Sequence, residues 1–298
     1  MTDIVAELLP VKPPDVLYHY TTQAGIIGIL RESEIWATHT QYLNDRREYV
    51  HAVGLVGDLL NERAKSSPNG TQKDVLGEMI ARLDDNLASM NVCVCSFSED
   101  GDSLSQWRAY CEPTAGYALG FCSNFLMRRA TKQRFALAPC LYTGPEQRRF
   151  VSDFVDRVVA ENIAHRDLEE NDDDYDFWRS GGNFVAYLHR IAPALKDGAF
   201  KSEREWRLIS SPLMNTNPHF DFRPGKSMVT PFFRFQLGVD ADEVGEPRFR
   251  RVVVGPTPNS TEAIRSVGNL LASVKLMHSF TPGGPVQVDE SSVPYRAW

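Results

Sequence analysis

The sequence predicts an α+β fold, and three observations carry that expectation. Short alternating apolar runs and longer stretches with helical periodicity both occur, yet they do not follow one another in a regular βαβ rhythm. The helical stretches gather in two blocks, about residues 44–90 and 150–195, with strand-like runs before, between and after them. Apolar residues make up 42% and charged residues 24% of 298 residues, an ordinary globular composition with enough length to bury a sizeable core. The expected organisation is a single α+β domain over 1–298, the two helical blocks being insertions.

The elements follow in order. "LYHYTT", residues 17–22, alternates in strand fashion, and Thr21 or Thr22 can cap a helix from Gln23 whose Ile26, Ile27, Ile29 and Leu30 make a buried stripe. "IWATHTQYLNDRREY" is expected to cross the surface. Asp45 with Glu48 three residues later approximates a capping box, opening a helix with Tyr49, Val53, Val56 and Leu60 on one face. "DVLGEMIARLDDNLASM" is a second amphipathic helix. "VCVCSFSE" reads as a strand, "DSLSQWRAYC" as a short helix, and "GYALGFC" and "RFALAPCLYT" as strands. "VSDFVDRVVAENIAHRDLEE" and "NFVAYLHRIAPAL" are helical. "EWRLIS" and "RVVVGP" are late strands, followed by a helix over "STEAIRSVGNLLASV" with Ser260 or Thr261 as its cap.

Composition excludes several classes. No apolar run approaches the ~20 residues of a membrane span, and the N-terminus lacks the basic flank of a secretory signal, so a cytoplasmic protein with no membrane partner is expected. A net charge of −7 argues against broad nucleic-acid binding, which rests on phosphate neutralisation. The five cysteines are odd in number and lie in apolar surroundings, so buried thiols are expected rather than a disulfide framework or a metal site. "NDDDYD" lacks calcium-loop spacing and reads as a solvated acidic loop. "VGPTPNSTEAI" lacks a phosphate-loop pattern and reads as an ordinary strand-to-helix turn.

Four stretches concentrate chemistry-bearing side chains: "YHYTT", "YLNDRREY", "CSFSEDGDSLSQWRAY" and "FKSEREWRLIS". Singly, each has an ordinary structural explanation. Jointly and in this order, "YHYT", "GIIGILRESEIW", "LNDRRE", "SQWRAY" and "EREWR" closely resemble a bacterial family catalogued as domain of unknown function 2971, over roughly residues 17–210. The same stretches resemble, more distantly, the ADP-ribosyltransferase fold. There "HYT" matches the first strand motif, "SFS" the second, "SLSQWRAY" with "GYALGF" the helix and strand beside nicotinamide, and "EREW" the late glutamate pair. Tyr20 stands where those enzymes have glycine, and Phe97 where they have threonine or tyrosine.

That second resemblance implies a split mixed sheet with helical insertions and NAD as the substrate of a mono-ADP-ribosyl transfer, in a toxin or phage-defence setting. Cleavage of the nicotinamide–ribose bond passes through an oxocarbenium-like centre, which a carboxylate stabilises. Glu205 would take that catalytic role, and Glu203, two residues earlier on the same strand face, would position or deprotonate the acceptor, a protein or a nucleic acid. His19 and Thr21 would hold the adenosine ribose, with Tyr20 beside them. Ser96 or Ser105 would reach the carboxamide, and Phe97, Trp107 or Tyr110 would stack on the ring. Apart from ligand binding, Trp107 is expected to be buried and Arg207 to pair with Glu48 or Asp45. Two alternatives stand beside this reading. One is a non-catalytic nucleotide-binding sensor or interaction module; the other is a metal-dependent nuclease or hydrolase using Asp45, Glu48 and Glu205.

Overall fold

The computed structural model describes residues 3–43, 47–83, 90–111, 115–164, 182–225, 227–238, 247–277 and 284–294. Asn44, Asp45 and the acidic run 171–176, read above as turn, cap and loop, lie outside these residues. In chain order the elements are α1 (Ile4–Leu8), β1 (Val16–Thr21), α2 (Gln23–Glu32), β2 (Glu34–His39), α3 (Arg47–Ser66), α4 (Thr71–Arg82), β3 (Cys93–Ser98), α5 (Leu104–Tyr110), β4 (Tyr117–Cys122) and α6 (Ser123–Lys132). They continue with β5 (Phe135–Pro139), α7 (Gly144–Ala164), α8 (Gly182–Ile191), β6 (Glu205–Ser210), β7 (Phe220–Pro224), β8 (Val229–Gln236), β9 (Phe249–Val254), α9 (Ser260–Ser273) and β10 (Gln287–Glu290). The fold is mixed α+β, built on one open mixed sheet.

Local sequence accounts for several boundaries. The Thr22 hydroxyl accepts from the Gly25 amide at 3.2 Å and caps α2, whose Ile26, Ile29 and Leu30 are buried, whereas Ile27 of the expected stripe turns to the outer side of the helix and is exposed. Ser33 takes a left-handed conformation (φ 53°) at the helix C-terminus, and β2 begins at the next residue. That strand corrects the surface crossing expected for "IWATHT". Ile35, Ala37 and His39 are buried in alternation, and β2 runs inside the sheet between β3 and β8. The cap of α9 is Asn259, which makes no side-chain capping bond, so neither Ser260 nor Thr261 holds that position.

Among the described residues ten strands share the sheet. One path runs β10-β9-β4-β1-β3-β2-β8-β7, and β6 attaches to β3 with β5 on its outer side. Among the described strands only the β9–β10 pair is parallel, and one isolated parallel bridge joins Leu141 to Leu195. The decisive feature is a fork at β3. One edge of β3 pairs with β6 through five residues, from Val94↔Ile209 to Ser98↔Glu205. Its other edge meets β1 at the single register pair Tyr18↔Ser98 and meets β2 at Thr38↔Val94 and His39↔Cys93. Between those contacts β1 diverges from β3 while staying fully paired with β4 along six residues.

Alternation along the strands sends side chains to two faces. On one face, Leu17, Cys95, Phe97, Phe121, Trp206 and Leu208 pack with α2, α6 and α9. On the other, Val94, Ala136, Ala138 and Ile209 pack under α1, α3, α4, α7 and α8. A smaller cluster, Tyr20, Trp107, Cys111, Ala118 and Val253, seats α5 over the β1 side of the fork. All five cysteines are free and buried. Among the described residues no helix is long and apolar enough to cross a membrane.

Candidate functional site

Where β1 leaves β3, the sheet opens into a hollow of about 40 Å³ lined by Tyr18, His19, Tyr20, Ser96, Phe97, Gln106, Tyr110, Glu203 and Glu205. The volume takes a few water molecules. His19 spans the divergence: its Nδ1 lies 2.9 Å from the Ser96 carbonyl oxygen. A carbonyl only accepts, so Nδ1 carries the proton. Burial lowers the His19 pKa, and the Ser96 bond only partly opposes this. The ring is therefore neutral at pH 7, and its Nε2 holds a lone pair for a donor such as a hydroxyl.

Next to the hollow lies a buried ion network. Arg207 donates from Nε to Glu205 Oε1 (2.7 Å), from Nη2 to Glu205 Oε2 (3.2 Å), and in bidentate fashion to Glu48 (2.6 and 2.9 Å). Its remaining N–H goes from Nη1 to the Pro193 carbonyl at 2.8 Å, so all five guanidinium donors are engaged. Lys196 Nζ contacts both Glu205 and Glu203, the latter at 2.5 Å. Glu48, Lys196, Glu205 and Arg207 are all buried. Burial works to raise the Glu205 carboxyl, but the charges and hydrogen bonds of Arg207 and Lys196 outweigh it and hold it at about 2. The same network raises Lys196 and Arg207 against their own desolvation. Glu205 is thus ionised, oriented and matched by two cations.

The cover of the hollow is α5. Trp107 is 2% exposed, as its helical spacing predicts, and meets Tyr20 edge-on at 4.6 Å between centroids. Its indole Nε1 donates to Asp102 at 2.9 Å, and Asp102 also accepts from the Ser292 amide and hydroxyl, each at 2.7 Å. Tyr20 Oη donates to the Asp100 carbonyl (2.7 Å) and accepts from the Ser103 amide (2.9 Å). The 99–103 turn and the C-terminal serines thereby pin α5 to the sheet. Tyr110, at the end of α5, is pushed up to about 12 by burial and by the Glu205 and Glu203 charges.

Of the residues expected at a site, His19, Tyr20, Ser96, Phe97, Tyr110, Glu203 and Glu205 border this hollow. Phe97 does so with its ring in the core, edge-on to Phe121 at 5.6 Å, because odd positions of β3 face the α2–α6–α9 side. Ser105 sits at the exposed start of α5 bonded to Ser103 and does not line the hollow. Thr21, the last residue of β1, pairs with Tyr117 and is not among the residues that line the hollow. Glu203 is not on the strand face of Glu205. It ends a 3-10 turn over Gly198–Glu203, and Arg204 at φ 45° reverses the backbone before β6 begins. The two carboxylates meet through Lys196 instead. Arg207 pairs with Glu48, one of the two partners expected for it. Gln106 and Lys196 were missed: Gln106 lay within the quoted "SQWRAY", whereas Lys196 follows an apolar run and carries no local signal.

Among the described residues no group of three or more His, Cys, Asp or Glu could hold a metal ion. Glu48 and Glu205 instead face a shared guanidinium.

The comparison with protein families bears on this region. Residues 106–208 match a family described as Protein of unknown function (DUF2971). The DUF2971 match covers about a third of the chain, from α5 to β6, and takes in Gln106, Trp107, Tyr110, Lys196, Glu203, Glu205 and Arg207. It stops short of His19 and Glu48. Comparison with curated proteins and with solved structures gives no match.

Proposed function

We propose that the fork is the site of an NAD-dependent ADP-ribosyl transfer. The observation that carries this reading is the convergence, at the divergence of two strands, of His19 from β1, Ser96 from β3 and Glu205 from β6. Such a fork offers strand edges and a floor for a flat carboxamide ring, together with a carboxylate near the ribose. The neutral His19 would accept a ribose hydroxyl at Nε2. Glu205, held by Arg207, would fix the other hydroxyls and contribute what charge its two cations leave uncompensated to the oxocarbenium centre. The hollow now takes only water, so on this reading α5 and the 198–203 turn part to admit the ring.

One observation favours a second reading. A carboxylate matched by Lys196 and Arg207 suits a non-catalytic nucleotide-binding module as well as an enzyme. Incubation with NAD, with affinity read by calorimetry and nicotinamide by chromatography, separates the two. The parent should bind NAD and release nicotinamide. Glu205→Gln should still bind NAD and fold, while release falls at least 100-fold, because the lost charge acts mainly in the transition state. Glu203→Gln should spare slow hydrolysis and reduce transfer. NAD binding without release supports the module; no NAD binding at all, or normal turnover by Glu205→Gln, removes the transferase reading.

A further inference from the structure

One side chain at the fork is buried without a hydrogen bond to account for it. Gln106, on α5, borders the hollow and is 6% exposed. Among the described residues its carboxamide nitrogen and oxygen bond to no protein group, and neither atom is sealed from water. The carboxamide therefore opens on the hollow that the residue lines. The other polar groups of the cover are different. Tyr20 Oη, Trp107 Nε1 and the Asp102 carboxylate all have protein partners, and those bonds are what seat α5.

The large majority of buried side-chain polar atoms are paired, and fixing a glutamine costs rotamer freedom that here returns no bond. Packing does not call for the amide, since an apolar side chain would fill the position as well. What the amide adds is a donor and an acceptor side by side. The neutral His19 Nε2 and the Glu203 and Glu205 carboxylates, which share the hollow, only accept. The group that answers both atoms of Gln106 in one plane is another amide: its N–H meets Gln106 Oε1 and its carbonyl accepts from Gln106 Nε2. A ketone or a carboxylate answers the nitrogen alone. The hollow has room for a few water molecules, about the space of an amide head. Tyr110 stands four residues on, on the same face of α5, and also lines the hollow, so a ring carrying that amide would lie against it.

We propose that Gln106 is the specificity residue of the fork and reads a terminal carboxamide, the group that the nicotinamide ring of NAD carries. The inference rests on the reading of the fork as the NAD site and deepens it. It moves to Gln106 the amide contact expected of Ser96 or Ser105. Ser105 does not line the hollow, and the Ser96 carbonyl is already engaged by His19. An amide paired with Gln106 leaves His19 Nε2 to a ribose hydroxyl and Glu205 to the ribosyl centre, so the three roles do not compete.

The test sets NAD against its 3-acetylpyridine analogue, in which a methyl ketone replaces the amide, and nicotinamide against 3-acetylpyridine. Each is titrated calorimetrically into the full chain. The parent should bind each amide about 5–30-fold more tightly than the matching ketone, because the ketone leaves Gln106 Oε1 unanswered. Gln106→Leu should weaken the amides more than the ketones and bring each pair to within about 2-fold. Its melting temperature should not fall below that of the parent, because the carboxamide has no protein partner. A merely structural glutamine would give the opposite, a lower melting temperature with the preference intact. Gln106→Met, of similar length, repeats the comparison if Gln106→Leu fails to fold. Equal affinity of the parent for amide and ketone overturns the proposal, as does an unchanged preference in both variants. Amide preference without nicotinamide release keeps the Gln106 assignment and removes the transferase reading. Nicotinamide release by a parent indifferent to the ketone does the reverse, and binding of no probe at millimolar concentration overturns both.

Discussion

Replacing Arg207 with methionine is the sharpest test of what holds the two halves of the sheet's helical face together. The guanidinium is 5% exposed, and its five donors join Glu48 on α3, Glu205 on β6 and the Pro193 carbonyl. Methionine fills similar apolar volume but strands the Glu48 carboxylate, which is 7% exposed, while Glu205 keeps Lys196. Removing one partner of a buried pair costs about 3–5 kcal/mol. At roughly 2–4 °C per kcal/mol for a domain near this size, Arg207→Met should melt ~10 °C below the parent. Glu48→Gln leaves Arg207 paired with Glu205 and should cost about 1.5–3 kcal/mol, the range for hydrogen bonds to charged groups. The double variant no longer carries the stranded carboxylate. Its loss should therefore fall short of the sum of the single losses by about 2 kcal/mol, the coupling of contacting residues. Urea unfolding followed by tryptophan fluorescence reads all four proteins. Additive losses, or an Arg207→Met loss under ~1 kcal/mol, would refute the claim that this pairing ties α3 to β6.

Two further outcomes follow from burial and close contact. Burial holds folded His189 at about 4 against an ordinary 6.5, so the unfolded chain takes a proton that the native state refuses. Stability should be full above pH 6.5 and fall by up to about 3 kcal/mol as pH drops from 6.5 to 4, and His189→Phe should flatten that fall. Glu205 acts in a lower window: burial opposes its ionisation, but Arg207 and Lys196 prevail and give about 2 against 4.5, so its stabilisation is present above 4.5 and lost toward 2. Urea midpoints between pH 7 and 3 check both, and an unchanged slope in His189→Phe would count against the first. Gly28 of α2 has nothing within 4 Å of an added Cβ, so Gly28→Ala should raise stability by about 0.5–1 kcal/mol. At Gly255 that Cβ would meet the Gly116 carbonyl at 2.9 Å and the Trp107 ring at 3.0 Å, so Gly255→Ala should cost roughly 1–3 kcal/mol. Thermal melts that reverse this order would show the backbone there yields more easily than the packing implies.

Much of the site was legible because its residues sit at positions with strong local patterns. β1, β3 and β6 coincide with the short strand-like runs "LYHYTT", "VCVCSFSE" and "EWRLIS", so His19, Ser96 and Glu205 could be placed on strands, and Trp107 could be read as core from its place in a short amphipathic helix. The misreadings have local causes too. "IWATHT" carries the alternation of a strand, but the polar "QYLNDRREY" after it draws the whole stretch toward a loop. The E-x-E spacing implies one strand face only while the backbone stays extended, and Arg204 breaks that condition with a left-handed turn that periodicity does not register.

The sequence by itself determined that α2 has a buried face, where it is capped, that the cysteines are buried thiols, and that helices and strands mix without βαβ order. These depend on neighbours within a few positions, where side-chain periodicity and backbone preference act directly. Only the tertiary structure decided that the described strands join one sheet, that the sheet forks at β3, that Lys196 stands between Glu203 and Glu205, and that Tyr49 and His189, from α3 and α8, stack on each other. Arg207 and Glu48 are 159 positions apart, and the pairing of such distant groups depends on how whole faces pack. In an interior where a stranded charge costs several kcal/mol, packing selects the partner, and no local pattern in the chain carries that choice.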